Sequence, residues 1–339
     1  MELIMNNLNV IWFILLCVLF AGFFLLEGFD YGTGILLPVI GKTDVERRQM
    51  INALGPIWDG NEVWMITAGG ALFASFPHVY ATLFSGFYMA LFLMLAVLIM
   101  RGVAFEFRSK SPNRTWRKVF DYCIFIGSIV PALLWGVTVG NLIQGTPIDE
   151  TMTYVGTFWD LLSPYTVLCG VAFILVFTYH GGLFTSLKTA GPVSERARAA
   201  ALVTGVPTAI GVIALIIASY VCTDLYNSTL AIVFCALAVV CFLISWGATR
   251  TRNTKWGFLF SSLSIILITA TYFAGLFPRI MVSSLNPAWS LTITNTSSSE
   301  YTLALMTAVA AVFVPIVLAY QIWVYWIFRH SVTEKDLHY

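Results

Sequence analysis

Long apolar stretches alternate with short polar connections along the whole chain. Nine of these stretches are long enough for a membrane helix, which needs about 20 apolar residues to cross a hydrocarbon core of roughly 30 Å. None of them shows the residue-by-residue alternation of a membrane β-barrel strand. The pattern therefore predicts nine transmembrane helices, at approximately 9–39, 51–73, 79–103, 117–142, 161–187, 200–223, 228–249, 256–277 and 302–328.

The composition supports a membrane protein and excludes other classes. Of the 339 residues, 59% are hydrophobic and only 10% are charged, whereas soluble domains carry about 25% charged residues. The 18 Lys and Arg against 17 Asp and Glu leave no basic excess for a nucleic-acid partner. No connection is long enough for a soluble domain. We therefore expect one polytopic all-α integral membrane domain over residues 1–339, arranged as two four-helix bundles plus one additional helix.

The basic residues predict the orientation, because Lys and Arg collect in the connections on the cytoplasmic side of a membrane. Seventeen of the 18 lie in the C-terminal tail or in every second connection, and only Arg279 lies in the others. The N-terminus is therefore predicted to be extracytoplasmic and the C-terminus cytoplasmic.

Four carboxylates fall inside predicted membrane helices. Glu27 and Asp30 lie three residues apart in the first span, and Asp59 and Glu62 repeat that spacing in the second, so each pair shares a helix face. Asp59 is expected roughly 12 Å into the membrane from the cytoplasmic end of its helix, at 1.5 Å per residue. A buried charge costs about 2.5–3.5 kcal/mol on insertion scales. All four are therefore expected to face the interior at similar depth.

These carboxylates have two interpretations: a path for protons or ions from the cytoplasm, or a set of pairs that fixes helix packing. Asp59 is the strongest candidate for a proton relay, since Pro56 before it opens the helix and Gly60 and Asn61 after it leave room for water. Glu62, Glu27 and Asp30 are secondary candidates for either role. Three acids near helix ends, Asp121, Glu106 and Asp160, are expected to be solvated or paired interfacial charges.

The histidines limit what cofactor this chain can hold. Only His180 is embedded, while His78 follows the outer Pro77 and His330 and His338 lie in the tail. A membrane b-type haem commonly takes two axial ligands of the His or Met kind, so no cofactor or metal site is predicted in this chain. His180 is expected to be a hydrogen-bonded packing residue. The six cysteines form no CxxC pair and predict neither a disulfide framework nor a zinc site.

These observations leave two classes open: a proton-coupled secondary transporter, or a subunit of a larger redox complex. Several motifs favour the redox subunit, and the transporter stays the alternative. The chain resembles subunit II of cytochrome bd quinol oxidase along its whole length, most specifically over 46–73. The motifs that carry the resemblance are Glu27-Gly-Phe-Asp30-Tyr-Gly, the segments 46–52, 58–64 and 68–73, Phe84-Ser-Gly-Phe-Tyr88, and the region 168–191.

The resemblance implies a heterodimer in the cell membrane of a bacterium or archaeon. In it, subunit I holds haem b and haem d and the quinol site, and the complex oxidises quinol and reduces oxygen to water. This chain would stabilise the haem-bearing subunit, and the family's proton-path aspartate falls on Asp59. Trp58 and Asp30 match positions that the family needs for a stable complex, and Asn61 shares the same motif as a structural candidate. The resemblance also allows a small accessory subunit and bound lipid or quinol. Many members have Met where this chain has Tyr31.

Overall fold

The computed structural model describes residues 7–337, and eleven α-helices make up most of that part of the chain. They are α1 (Leu8–Ile40), α2 (Asp44–Leu54), α3 (Trp58–Ser75), α4 (Pro77–Gly86), α5 (Tyr88–Phe107), α6 (Arg114–Gln144), α7 (Pro164–Lys188), α8 (Pro192–Cys222), α9 (Thr229–Arg250), α10 (Thr254–Leu276) and α11 (Glu300–Ile327). Short 3₁₀ helices lie at Arg108–Lys110, Phe158–Leu161, Leu225–Asn227, Pro287–Trp289 and Glu334–Asp336.

Eight of the described helices are long and apolar enough to cross a membrane, one fewer than the sequence predicts. They are α1 and α5 to α11, where α5 continues through the following turn to Lys110. The remaining candidate, α3, has 18 residues, but its first two turns carry Asp59, Asn61 and Glu62. The chain is therefore a helical integral membrane protein in which α3 is unusually polar.

The predicted second span, 51–73, is wrong as a single helix. The short helix α2 ends at Leu54, and a turn at 55–57 separates it from α3. Pro56 explains the break, because it has no amide proton and its ring crowds the preceding helical turn. A capping box between Thr43 and Glu46 starts α2, which satisfies the first free amides of the helix.

The predicted third span, 79–103, consists of two helices separated by a single residue. It begins earlier, at Pro77, and is interrupted at Phe87 between α4 and α5. Helical hydrogen bonds continue across the interruption, since the Phe87 amide donates to Leu83 and the Phe87 carbonyl accepts from Leu91, both at 2.9 Å. The two helices therefore follow one path with a bend.

The connections rich in basic residues all meet at one end of the helix bundle. Arg47 and Arg108 both pair with Asp121, and Arg196 pairs with Glu46. Arg252 lies 3.9 Å from Glu195. The tail joins this end through backbone pairing of 189 with 332. We call this the basic end, formed by 41–57, 108–118, 188–198, 250–255 and 328–337.

The opposite end, which we call the polar end, is closed by the connection at 277–299. This connection contains the only β-sheet of the described residues, an antiparallel pair of β1 (Arg279–Met281) and β2 (Leu291–Thr292). The all-α prediction missed this small sheet because five strand residues in a polar connection leave no periodic signal. The Asn9 side-chain amide donates to the Ile293 carbonyl at 3.2 Å, which ties the start of α1 to this end.

The first helix lies at the centre of the bundle and packs against α3, α6, α7 and α10. It approaches α7 so closely that a Cβ on Gly32 would lie 1.8 Å from the Phe177 carbonyl oxygen. Small residues permit this kind of approach between membrane helices. Because α1 contacts helices from both halves of the chain, the grouping into two four-helix bundles and one further helix stays a prediction.

Candidate functional site

A cluster of charged side chains lies inside the bundle, on α1, α3 and α5. Glu27 and Asp30 of α1 are both 0% exposed. Arg101 of α5 is also fully buried, and its Nη1 donates to Glu27 Oε1. The same nitrogen donates to Glu62 Oε1 at 3.1 Å. One guanidinium therefore connects a fully buried carboxylate to Glu62, whose side chain is 21% exposed.

A second set of hydrogen bonds extends the cluster to the last helix. Asn61 Nδ2 donates to Asp30 Oδ2 at 2.8 Å, and the Tyr325 hydroxyl of α11 donates to Asn61 Oδ1 at 2.7 Å. Both oxygen and nitrogen of the Asn61 amide are thus used, which fits the rule that buried polar groups are hydrogen-bonded. The three helices α1, α3 and α11 are fixed together at this point.

Aromatic rings complete the walls around the cation. The Arg101 guanidinium lies 5.0 Å from the Tyr31 ring centroid and 5.3 Å from that of Phe105. Trp58 packs on Phe105, with ring centroids 5.2 Å apart. These contacts shield the guanidinium from water, so its ion pair with Glu27 lies in a region of low dielectric constant where it is strong.

The structure gathers three of the four predicted carboxylates and leaves one outside. Glu27, Asp30 and Glu62 surround Arg101, whereas Asp59 is exposed on the surface of this chain. Within residues 7–337, no hydrogen bond or ion pair reaches the Asp59 side chain. The cause is helix geometry: a three-residue step turns the side chain by about 60° on the helix surface, enough to separate an outward Asp59 from Glu62. Gly60 beside Asp59 is exposed as well.

Arg101 and Tyr325 are site residues that the sequence does not single out. Arg101 is one of the seventeen basic residues assigned to the tail and every second connection, although it stands inside the predicted third span, in the apolar run Leu-Ile-Met-Arg101-Gly-Val-Ala. An arginine with apolar neighbours on both sides was the available signal, because such a cation inside a helix needs a buried anion. Tyr325 was also missed, since nothing in its local sequence marks it.

The basic end holds a separate set of ion pairs. Asp121 is 3% exposed and accepts from Arg47 at 2.7 Å and from Arg108 Nε at 2.5 Å. The prediction that Asp121 is a paired interfacial charge is confirmed.

Asp160 accepts hydrogen bonds from the Thr157 amide and hydroxyl, which hold the pKa of that carboxyl below its usual range. Glu106 is exposed, as expected of a solvated charge.

The one embedded histidine of residues 7–337 is held by hydrogen bonds within the chain. His180 is fully buried, but its Nδ1 is 2.9 Å from the Ser261 hydroxyl and its Nε2 is 3.2 Å from the Leu25 carbonyl. Its ring stacks on Phe258 at 4.7 Å. Both nitrogens are therefore engaged, as predicted for a packing residue. His78 and His330 are exposed, and His338 lies outside the described residues. Among residues 7–337, no group of three His, Cys, Asp or Glu side chains could hold a metal ion.

The fold and the site together define a polytopic helical membrane protein with an ion-paired carboxylate cluster in its interior. A profile of the family described as "Cytochrome bd terminal oxidase subunit II" matches residues 8–328. The chain belongs to this family, so the predicted resemblance is confirmed. It is a membrane subunit of a respiratory terminal oxidase, an oxidoreductase complex.

Two bacterial relatives are similar to the chain over nearly its full length. The chain is 40% identical over 334 residues to "Cytochrome bd ubiquinol oxidase subunit 2" of Bacillus subtilis (98% of this chain and 99% of the relative). It is 40% identical over 365 residues to "Cytochrome bd-I ubiquinol oxidase subunit 2" of Escherichia coli K12 (97% and 96%). A chain in the structure of bd oxidase from Geobacillus thermodenitrificans has the same fold, with a TM-score of 0.76, 17% identity and coverage of 95% of this chain and 98% of that one.

Proposed function

We propose that this chain works in a two-subunit bd-type complex that oxidises quinol and reduces oxygen to water. The partner, subunit I, holds haem b, haem d and the quinol site, and this chain stabilises that partner. The names of the Bacillus subtilis and Escherichia coli relatives support the quinol oxidase activity, and the engaged state of His180 supports haem binding by the partner. Family membership favours this function over the secondary transporter.

The proposed location is the cell membrane of a bacterium, with nine crossings and a cytoplasmic basic end. An odd number of crossings puts the two ends of the chain on opposite sides of the membrane. Two observations support this: Asn9 is tied to the polar end, whereas the tail at 332 pairs at the basic end. Nine crossings follow if the polar α3 spans the membrane together with the eight long apolar helices. The rule that Lys and Arg stay on the cytoplasmic side supports a basic end inside the cell.

We further propose that this subunit carries a proton path that begins at Asp59. The observation that carries the proposal is the link through Arg101 between the part-exposed Glu62 and the buried Glu27. Asp59 and Glu62 stand one turn apart at the start of α3, and a water molecule between them would carry the first transfer. Protons would pass from Asp59 to Glu62 and then to Glu27 and Asp30, toward the partner where oxygen is reduced. Trp58 supports this path by packing on Phe105. Asn61 supports it by hydrogen bonds to Asp30 and Tyr325.

The test is Asp59→Asn in the complete complex, purified through a tag on this chain. We expect quinol-driven oxygen consumption and proton uptake to fall by about a hundredfold or more, the scale of a lost acid-base group, while the haem spectrum stays intact. Glu150→Gln is the matched control, because Glu150 is an exposed acid in a connection at the polar end. Unchanged turnover would refute the relay. Loss of the haem spectrum together with the complex would instead assign Asp59 a purely structural role.

A further inference from the structure

Two carboxylate oxygens in the cluster are buried without a donor. Glu27 Oε1 accepts from Arg101, and Asp30 Oδ2 accepts from Asn61. The remaining oxygens, Glu27 Oε2 and Asp30 Oδ1, receive no hydrogen bond from the described residues. The two carboxyl groups belong to residues one turn apart on the same face of α1, and both residues are fully buried. Two ionised carboxylates would repel in this position, and each would leave a buried oxygen unsatisfied.

The charge balance of the cluster also disfavours a state in which all its carboxyl groups are ionised. Glu27, Asp30 and Glu62 are three acids around one cation, Arg101. If all three acids were ionised, the cluster would carry two negative charges inside the membrane, which is costly.

The other titratable groups nearby do not change this balance. Tyr31 and Tyr325 bring phenol groups, and Asp59 is an exposed acid one turn before Glu62 on α3. His180 of α7 is bonded to Ser261 and to the Leu25 carbonyl, and Asp121 of α6 is neutralised by Arg47 and Arg108. No second cation from these elements therefore faces the three acids.

We propose that Glu27 and Asp30 share one proton between Oε2 and Oδ1, and that Glu62 is the group through which this proton exchanges. This inference rests on the proposed proton path and adds a storage step to it. A proton on Glu62 moves to the Glu27 and Asp30 pair, and Glu62 is left as the carboxylate. Arg101 Nη1 contacts both Glu27 and Glu62, so the cation stays beside the ionised group throughout. Arg101 is thus a positioning residue.

Infrared difference spectroscopy of the complete complex, in H₂O and then in D₂O, tests the shared proton directly. A protonated carboxyl group has a C=O stretching band that ionised carboxylates lack. Glu27→Gln and Asp30→Asn should each abolish the same band, because either new amide supplies an N–H donor and removes the need for the proton. Glu62→Gln should keep the band but slow its shift in D₂O. Glu106→Gln, an exposed acid near the basic end, should change neither.

The exchanged variant Glu27→Asp with Asp30→Glu keeps both carboxyl groups and should retain the band even if a single variant fails to assemble. A band that survives in Glu27→Gln or Asp30→Asn, or a double exchange that lacks the band, would overturn the shared proton. An unchanged exchange rate in Glu62→Gln would overturn its role as the exchange group. Turnover of Glu27→Gln and Asp30→Asn separates this inference from the proton path. Loss of the infrared band with normal turnover refutes the proton path alone. Slow turnover with an unaltered band refutes the shared proton alone.

Discussion

Replacing Arg101 by methionine should destabilise the protein more than any change in the surface ion pairs. Arg101 is 0% exposed, and its Nη1 bonds to both Glu27 and Glu62. Methionine fills much of the same volume against Tyr31 and Phe105 but leaves both carboxylates without their cation. Removing one partner of a buried ion pair costs about 3–5 kcal/mol. We expect Arg101→Met to lower the free energy of unfolding by about that amount.

A matched control is available at the basic end, where Arg117 pairs with Asp44 at 2.7 Å. The Arg117 side chain is 28% exposed and that of Asp44 is 36% exposed, so Arg117→Met should cost about 0–1 kcal/mol. A second variant identifies the cause of the loss. Glu27→Gln added to Arg101→Met removes the fully buried one of the two stranded charges and should recover part of the lost stability, with a coupling energy of about 0.5–3 kcal/mol.

Denaturant unfolding of the purified complex in detergent, followed by tryptophan fluorescence, gives the free energies for all three variants and the wild type. The comparison is valid where the dependence on denaturant concentration has the same slope in each protein. The reasoning about the buried cluster would be refuted if Arg101→Met cost no more than Arg117→Met. It would also be refuted if the double variant were as unstable as Arg101→Met alone.

Two further predictions concern helix packing and the basic end. Gly32→Ala should cost about 1–3 kcal/mol or more by overpacking, because its Cβ would lie 1.8 Å from the Phe177 carbonyl oxygen. Gly247→Ala meets nothing within 4 Å and should leave the thermal midpoint of unfolding nearly unchanged, so equal midpoints for the two variants would contradict the close approach. The pKa of Glu46 lies below its ordinary 4.5: partial burial opposes this, but Arg196 and the Thr43 and Lys42 amides outweigh it. A carboxyl group with a lowered pKa stabilises the fold at pH values above its pKa in the unfolded chain, and this stabilisation is lost as the pH falls through its pKa in the folded protein. The stability advantage of wild type over Glu46→Gln should therefore disappear in acid. A constant difference in stability across pH would contradict this expectation.

Part of the candidate site could be predicted from sequence because acidic residues inside apolar helices are conspicuous. Glu27, Asp30 and Glu62 were selected for that reason, and the structure brings them together. Arg101 was not, since a basic residue near a helix end usually marks the cytoplasmic connection. Whether such a residue snorkels to water or turns inward depends on which anion lies across from it, and no single helix contains that information.

The sequence alone determined the helical membrane class, the family and the separation of basic and polar ends. These properties follow from local quantities: the length of apolar runs, the position of Lys and Arg, and short motifs. The tertiary structure decided the break at Pro56, the small sheet of β1 and β2, the burial of Arg101 and the exposure of Asp59. Those features depend on how α1, α3, α5 and α11 rotate against one another. Side chains far apart in the chain, such as Asn61 and Tyr325, meet only after the helices have packed.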